Sequence, residues 1–251
     1  MIKFFRHIRQ QLLSEGKTAN YFKYAIGEIV LVVIGILIAL QINTWNENRI
    51  QNNKELKSLQ ILKSEFLSNH ANLKTAISIH NERNTAIKTI LFKDLNDYEL
   101  NQLDSIYKMA MYSFTYNPSF SAYNSLVSSG ELNYLSNDSL KIGLSEFKDL
   151  IYDYQEDEIN IWHYSRDKIF NSEMLNEDML TETKFNLRPR NAVEIKNDKL
   201  KYLNFFREPV FRNQLSMLIL HLEVAINEGN RLDKKFLIIS NAIDNEIQKF
   251  K

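Results

Sequence analysis

Cysteine is absent from the 251 residues, so neither a disulfide framework nor a thiolate metal site is available to this chain. Proline and glycine are scarce, three and six in all, which leaves few points where a helix must stop. That scarcity argues against many-turned β architectures and against glycine-dependent nucleotide folds. Net charge is also missing, because 31 basic and 31 acidic side chains balance. The balance hides a split: Lys3, Arg6, Arg9, Lys17 and Lys23 face only Glu15 before residue 24, so the remaining chain is acidic. A nucleic-acid binder would need its basic patch in that acidic portion, which sets the class aside. What is there, 44% hydrophobic and 25% charged residues, is the composition of a folded chain of one or two domains. The fold class expected is all-α.

Residues 29 to 40 carry no polar side chain, and only Glu28 and Gln41 interrupt the apolar stretch from Tyr24 to Ile42. At the helical rise this stretch reaches roughly 28 Å, close to the thickness of a hydrocarbon core. A soluble helix rarely lacks a polar face over three turns, so a transmembrane helix over 24–42 is preferred to a buried core helix. A cleaved signal peptide is disfavoured, because Ala39-Leu40-Gln41 offers no small-x-small site; the segment reads as a signal anchor. The basic excess before the span puts the N-terminus in the cytoplasm by the positive-inside rule, leaving residues 43–251 outside. Trp45, and Tyr21, Phe22 and Tyr24, stand where interfacial aromatic belts are expected. Residues 1–23 form a basic leader in which Ile2, Phe4, Phe5, Ile8, Leu12 and Leu13 alternate with cations. That pattern suits a helix lying on the inner leaflet, or equally an ordinary charged leader.

The run Tyr24-Ala25-Ile26-Gly27-Glu28-Ile29-Val30-Leu31-Val32-Val33-Ile34-Gly35-Ile36-Leu37-Ile38-Ala39-Leu40-Gln41-Ile42-Asn43, followed by Trp45-Asn46-Glu47, resembles the signature of an uncharacterised bacterial family of single-span membrane proteins. Tyr123-Asn124-Ser125-Leu126 with Ser129-Gly130-Glu131-Leu132 is similar to the family's second recurring stretch. The resemblance implies a domain of unknown function in the bacterial inner membrane, with a periplasmic portion, and it brings no catalytic residue to transfer.

Beyond the span, Ile50 to Leu91 contains neither glycine nor proline, and Leu59, Leu62, Phe66, Leu73, Ala76, Ile87 and Ile90 follow a 3-4 spacing. The spacing predicts one long amphipathic helix, either continuous with the span or hinged within Asn46–Asn53. Asn69, His80 and Arg83 interrupt its seam, which favours a bundle over a coiled coil. A second helix is expected from Leu100 to near Asn117-Pro118, and a short one over Ser119–Ser129 with Gly130 in the left-handed position. A long helix capped by Asn137 or Asp138 should reach about Met174, and residues 181–197 read as a loop with one short strand. The last helix should run from Pro209 to Phe250. Together these make an extracytoplasmic antiparallel bundle with long helices.

Chemical motifs are few. None of the five histidines has a zincin or Glu-x-x-His neighbour, and no phosphate loop or Gly-x-Ser-x-Gly occurs. No cofactor and no metal is expected. Asp149, Asp153, Glu156, Asp157 and Glu158 form an acidic strip best read as a solvated helix face. Tyr152, Tyr154, Trp162 and Tyr164 read as core at helical spacing. The one constellation singled out lies in the span: Glu28, Val32, Gly35, Ala39 and Ile42 share a helix face, joining a carboxyl to a Gly-x-x-x-Ala pair. Such a face fits contact with a second transmembrane helix, either its own copy or another subunit, although Glu28 can equally snorkel to the interface. The function expected is a membrane-anchored interaction or scaffold module whose partners are the lipid bilayer and a protein. The alternative is a receptor-like sensor whose outer bundle binds a small ligand and signals through a separate protein. An enzyme is not expected; its form would be a carboxylate-based hydrolase.

Overall fold

The computed structural model describes residues 18–170 and 191–250, so the leader up to Lys17 and most of the expected loop lie outside the described residues. Among the described residues there is no strand, and the all-α class stands. The first helix, α1, is assigned as one element over Thr18–Phe92, without an interruption in Asn46–Asn53. No proline falls within it, and its two glycines, Gly27 and Gly35, both lie in the apolar stretch. The chain divides into two compact units, Met1–Leu56 and Lys57–Lys251, with the boundary inside α1.

In the first unit the most apolar window of α1 is long enough to cross a membrane, and none of it is buried. The turns that follow satisfy their own polar groups. Asn43 Nδ2 donates to Glu47 Oε1 at 2.8 Å, and Arg49 both donates to Asn46 Oδ1 at 3.1 Å and lies over the Trp45 ring.

The second unit is built on three long helices. These are α1 from Lys57 onward, α4 (Asp138–Tyr164) and α6 (Pro209–Gln248). Side-chain pairs give their directions: Lys63 meets Asp244, His70 meets Asp233 and Lys88 meets Glu223, so α6 runs opposite to α1. Asn137 donates to Glu246 and Tyr164 to the Gln214 carbonyl, so α6 also opposes α4. Phe66 stacks on Phe147 and His80 pairs with Glu158, so α1 and α4 run the same way. At one level Phe236 of α6 meets Phe66, His70 and Phe147, with ring centroids 5.6, 5.1 and 4.4 Å away. Gly229 serves a close approach in the same helix. A Cβ there would stand 2.9 Å from Ile77 and 3.1 Å from Tyr154.

The short elements close the ends. Helix α2 (Leu100–Met111) starts with a Glu99/Gln102 capping box and packs Tyr107 on Tyr202, Phe205 and Phe206 of α5 (Ala192–Arg207). The C-terminal end of α1 is closed by Arg212, whose Nη2 donates to the Leu91 carbonyl at 2.6 Å. Helix α3 (Ser121–Ser128) leads through Gly130, at φ 74°, into a short 3-10 turn over Glu131–Tyr134. The Asn137 side chain accepts from Leu140 N and caps α4, which passes into π-helical turns over Ser165–Phe170.

Three local expectations need correction. Helix α2 stops at Met111, not near Pro118, because side chains from other helices take up the backbone groups of the following segment, as described below. Residues 192–197 are helical rather than loop or strand, since the Asn191 side chain and Glu194 form a capping box that starts α5. The aromatic group on α4 is not all core: Tyr154 is buried, whereas Tyr152 and Trp162 face outward.

Candidate functional site

The residues that break the apolar seam of α1 are the ones that organise the interior. His80 is buried, and its Nε2 lies 2.8 Å from Oε1 of Glu158 on α4, a carboxylate equally withdrawn from solvent. The other oxygen of Glu158 accepts from the Tyr116 backbone N–H at 2.6 Å. One turn along α1, Arg83 donates through Nε to the Ala110 carbonyl and through Nη2 to Ser165 Oγ, both at 2.9 Å. Ser165 in turn donates to the Ile161 carbonyl, at the point where α4 widens into π turns. Such turns in an α-helix usually mark a site where side chains, not the helix ladder, dictate the backbone. His80 Nδ1 and Arg83 Nη1 find no hydrogen-bond partner among the described residues.

These groups hold the non-helical stretch 112–120 against the bundle. Asn69 donates to the Ser119 carbonyl at 2.7 Å and accepts from Ser119 N at 2.9 Å, while Gln155 donates to the Tyr116 carbonyl. Tyr116 OH returns a bond to the Asn69 carbonyl. Glu65 then receives the first N–H groups of α3, from Ala122 at 2.7 Å and Tyr123 at 3.2 Å, and so caps a helix to which it does not belong. In a segment without a ladder of its own, the backbone groups of Tyr116 and Ser119 are thus satisfied by side chains of α1 and α4.

Burial decides the electrostatics. Removal from water pulls the Arg83 guanidinium down from 12.5 to about 10. The same cause pushes the Tyr107 phenol up to about 12. Burial, seconded by the Glu158 charge, raises Tyr116 and Tyr154 further. A raised phenol contributes stability that is whole below its unfolded pKa of 10.0 and is lost as pH climbs through the folded value. Arg83, being lowered, acts in the opposite sense over the same range, but three phenols outweigh one guanidinium. Unfolding free energy should therefore fall as pH rises from 10 toward 12, with these tyrosines ionising only when the fold is lost. Absorbance at 295 nm followed beside circular dichroism checks this; complete ionisation of all tyrosines ahead of the loss of helicity would refute it.

The acidic strip divides in two. Asp149 and Asp153 are exposed as expected of a solvated face, whereas Glu158, counted with them in the sequence, points inward to His80. Asp157 is pushed above the usual carboxylate range by partial burial and then by Glu228, Glu156 and Asp153. Among the described residues no group of three potential ligands stands close enough to hold a metal ion.

The constellation named in the span sits on the first unit. Val32, Gly35, Ala39 and Ile42 are exposed on α1, and Glu28 is partly covered. Nothing lies within 4 Å of a Cβ built on Gly35, so the first atom of a side chain there has open space around it.

Residues 28–186 match a family of unknown function, DUF6090, over more than half of the chain. The chain belongs to that family. The DUF6090 match takes in the apolar stretch of α1 from Glu28 onward and the residues of the polar centre, His80, Arg83, Tyr116, Glu158 and Ser165. No curated protein and no solved structure matches the chain.

Sequence reasoning marked Asn69, His80 and Arg83 as seam interruptions but not as a centre. The signal available was their type: long polar side chains at core positions of an otherwise apolar stripe must find buried partners. Their partners lie 27 to 82 residues away, a separation that periodicity does not bridge.

Proposed function

We propose that this DUF6090 chain is a single-pass membrane protein that works by binding, as an anchored interaction module, rather than by catalysis. The observation that carries the reading is the apolar window of α1, none of which is covered by the chain itself. Several turns of uncovered Ile, Val and Leu need lipid or another apolar helix around them. A binding role is supported by the polar centre as well. His80, Arg83 and Glu158, the groups best suited to acid–base work, are 1% exposed and so closed to any substrate.

The proposed setting is the bacterial inner membrane, with residues 1–23 cytoplasmic, 24–42 spanning and 43–251 periplasmic, as the basic excess of the leader favours. A reporter fused after Lys251 tests it; activity of a cytoplasm-only reporter at that position would reverse the orientation.

Partner contact is assigned to the face of Glu28, Val32, Gly35, Ala39 and Ile42, where small residues allow close helix approach. Gly35→Leu with Ala39→Leu should weaken association in membranes by roughly tenfold, on the order of 1.4 kcal/mol. Because Gly35 has open space within the chain, such a loss would report the partner and not a clash inside the protein. Cross-linking in native membranes followed by mass spectrometry names the partner. A stoichiometric second protein makes the chain an adaptor, and recovery of itself alone makes it a self-associating scaffold. Association undisturbed by the double substitution counts against this face.

A further inference from the structure

Lys148 of α4 occupies an unusual position for a lysine in a chain so rich in carboxylates. Its ammonium stands over three aromatic rings, 5.5 Å from the centroid of Phe120, 5.7 Å from Tyr123 and 5.8 Å from Tyr152. Each distance lies within the range of about 6 Å over which a ring face attracts a cation. Among the described residues Lys148 forms no ion pair, and its one hydrogen bond is a long 3.4 Å contact to Asn124 Oδ1. The lysine is thus held mainly by ring faces.

The rings are placed without its help. Tyr123 follows the N-terminus of α3, whose first N–H groups are fixed by Glu65, and Phe120 follows Ser119, which is clamped at both backbone groups by Asn69. Tyr152 stands one turn beyond Lys148 on α4, in contact with Phe120 at 5.9 Å between centroids. Three ring faces set by separate interactions make a cage that persists when Lys148 leaves it. Phe120 and Tyr123 are partly buried and Tyr152 is 51% exposed, so the cage has a wall toward the bundle and a side open to solvent.

We propose that Phe120, Tyr123 and Tyr152 form a binding site for an N-methylated ammonium group, with Lys148 as the built-in occupant that such a ligand displaces. The chemistry selects the ligand. Ring faces accept no ordinary hydrogen bond, and the single long contact to Asn124 Oδ1 leaves two N–H groups of a primary ammonium without a protein acceptor, a cost that a quaternary ammonium does not carry. Asp149 and Asp153, exposed on the same helix, add a negative potential that draws cations toward it. Choline-type groups reach a membrane-anchored protein either as free small molecules or as lipid headgroups, and the cage chemistry is common to both.

The test uses the full chain in a detergent free of quaternary ammonium, titrated with tetramethylammonium and followed by tyrosine fluorescence and calorimetry. Lys148→Gln empties the cage and should bind the probe about tenfold more tightly than the natural chain, the scale expected for removing a competing cation–π contact. Lys148→Arg refills the cage and should return binding to the weak level. Tyr152→Leu added to Lys148→Gln should abolish binding, and because Tyr152 is half-exposed the helical content should stay unchanged by circular dichroism. Choline binding as well as glycerophosphocholine marks a free small cation, whereas a clear preference for glycerophosphocholine marks a lipid headgroup; either outcome supports the cage. Lack of saturable binding to folded Lys148→Gln, or binding that survives Tyr152→Leu, overturns it and leaves Lys148 as a latch between α3 and α4.

Discussion

Replacing Glu158 by alanine should lower the unfolding free energy of the Lys57–Lys251 unit by about 2–5 kcal/mol, the cost of leaving two buried hydrogen-bond donors without their acceptor. Two buried donors lose their acceptor at once, the His80 imidazole and the Tyr116 amide. Neither can turn to water, because His80 and Tyr116 are each 1% exposed. With total stabilities of roughly 5–15 kcal/mol in domains of ordinary size, the loss amounts to a large part of what holds the unit together. Glu158→Gln should cost less, since the amide oxygen still accepts one of the two bonds. The Tyr154 and Tyr116 phenols should then ionise more easily, because the charge that helps raise them is gone. Urea unfolding followed by circular dichroism gives both numbers, and a loss below 1 kcal/mol for the alanine variant would mean that the pair is dispensable.

Phe236→Ala should be about as damaging, at about 3–5 kcal/mol, because it empties the level at which all three long helices meet. The ring is fully buried, edge-on to Phe147 at 4.4 Å and stacked on His70 at 5.1 Å. No neighbour moves easily into the space, since Phe66 and Phe147 already stack on each other. Two residues along the same helix, Ile238 is 63% exposed, and Ile238→Ala should change stability by no more than about 0.5 kcal/mol. The pair compared in one urea series separates packing from hydrophobicity as such. Equal effects at 236 and 238 would argue that the three-helix level is not where the unit is held.

Periodicity carries far in this chain because most of its structure is long helices, where one turn repeats the next. Leu59, Leu62, Phe66, Leu73, Ala76, Ile87 and Ile90, read from a 3-4 spacing, are all buried on α1. On α6, Leu215, Leu218, Leu222, Ile226, Leu232, Phe236, Ile239 and Ile243 of the same 3-4 series are buried, and Ile247, its last member, is only partly so. Caps were legible for the same reason: Asn137 starts α4, and Gly130 takes the left-handed conformation that a residue with a side chain resists. Kinship to a family of unknown function was expected from the resemblance, and the family match over residues 28–186 agrees with it.

Apart from α5, whose local Asn191/Glu194 capping box was passed over, what did not show in the sequence was anything requiring two distant segments. Residues 112–120 carry no pattern that distinguishes an extended strap from the end of a helix, because the groups that hold them belong to α1 and α4. Glu158 reads as one more acid in a charged run, and only the turn of α4 toward His80 separates it from Asp157. Glu65 as a cap for α3, and Lys148 within a ring of aromatics, depend in the same way on side chains brought together from separate elements. The three long helices, their apolar faces and the membrane-length stretch were readable from sequence alone, since each follows from the spacing of neighbouring residues along one helix. The buried His80–Glu158 contact, the strap over 112–120 and the ring of aromatics around Lys148 come only with packing, since the partners in each are near in space only after the helices have packed.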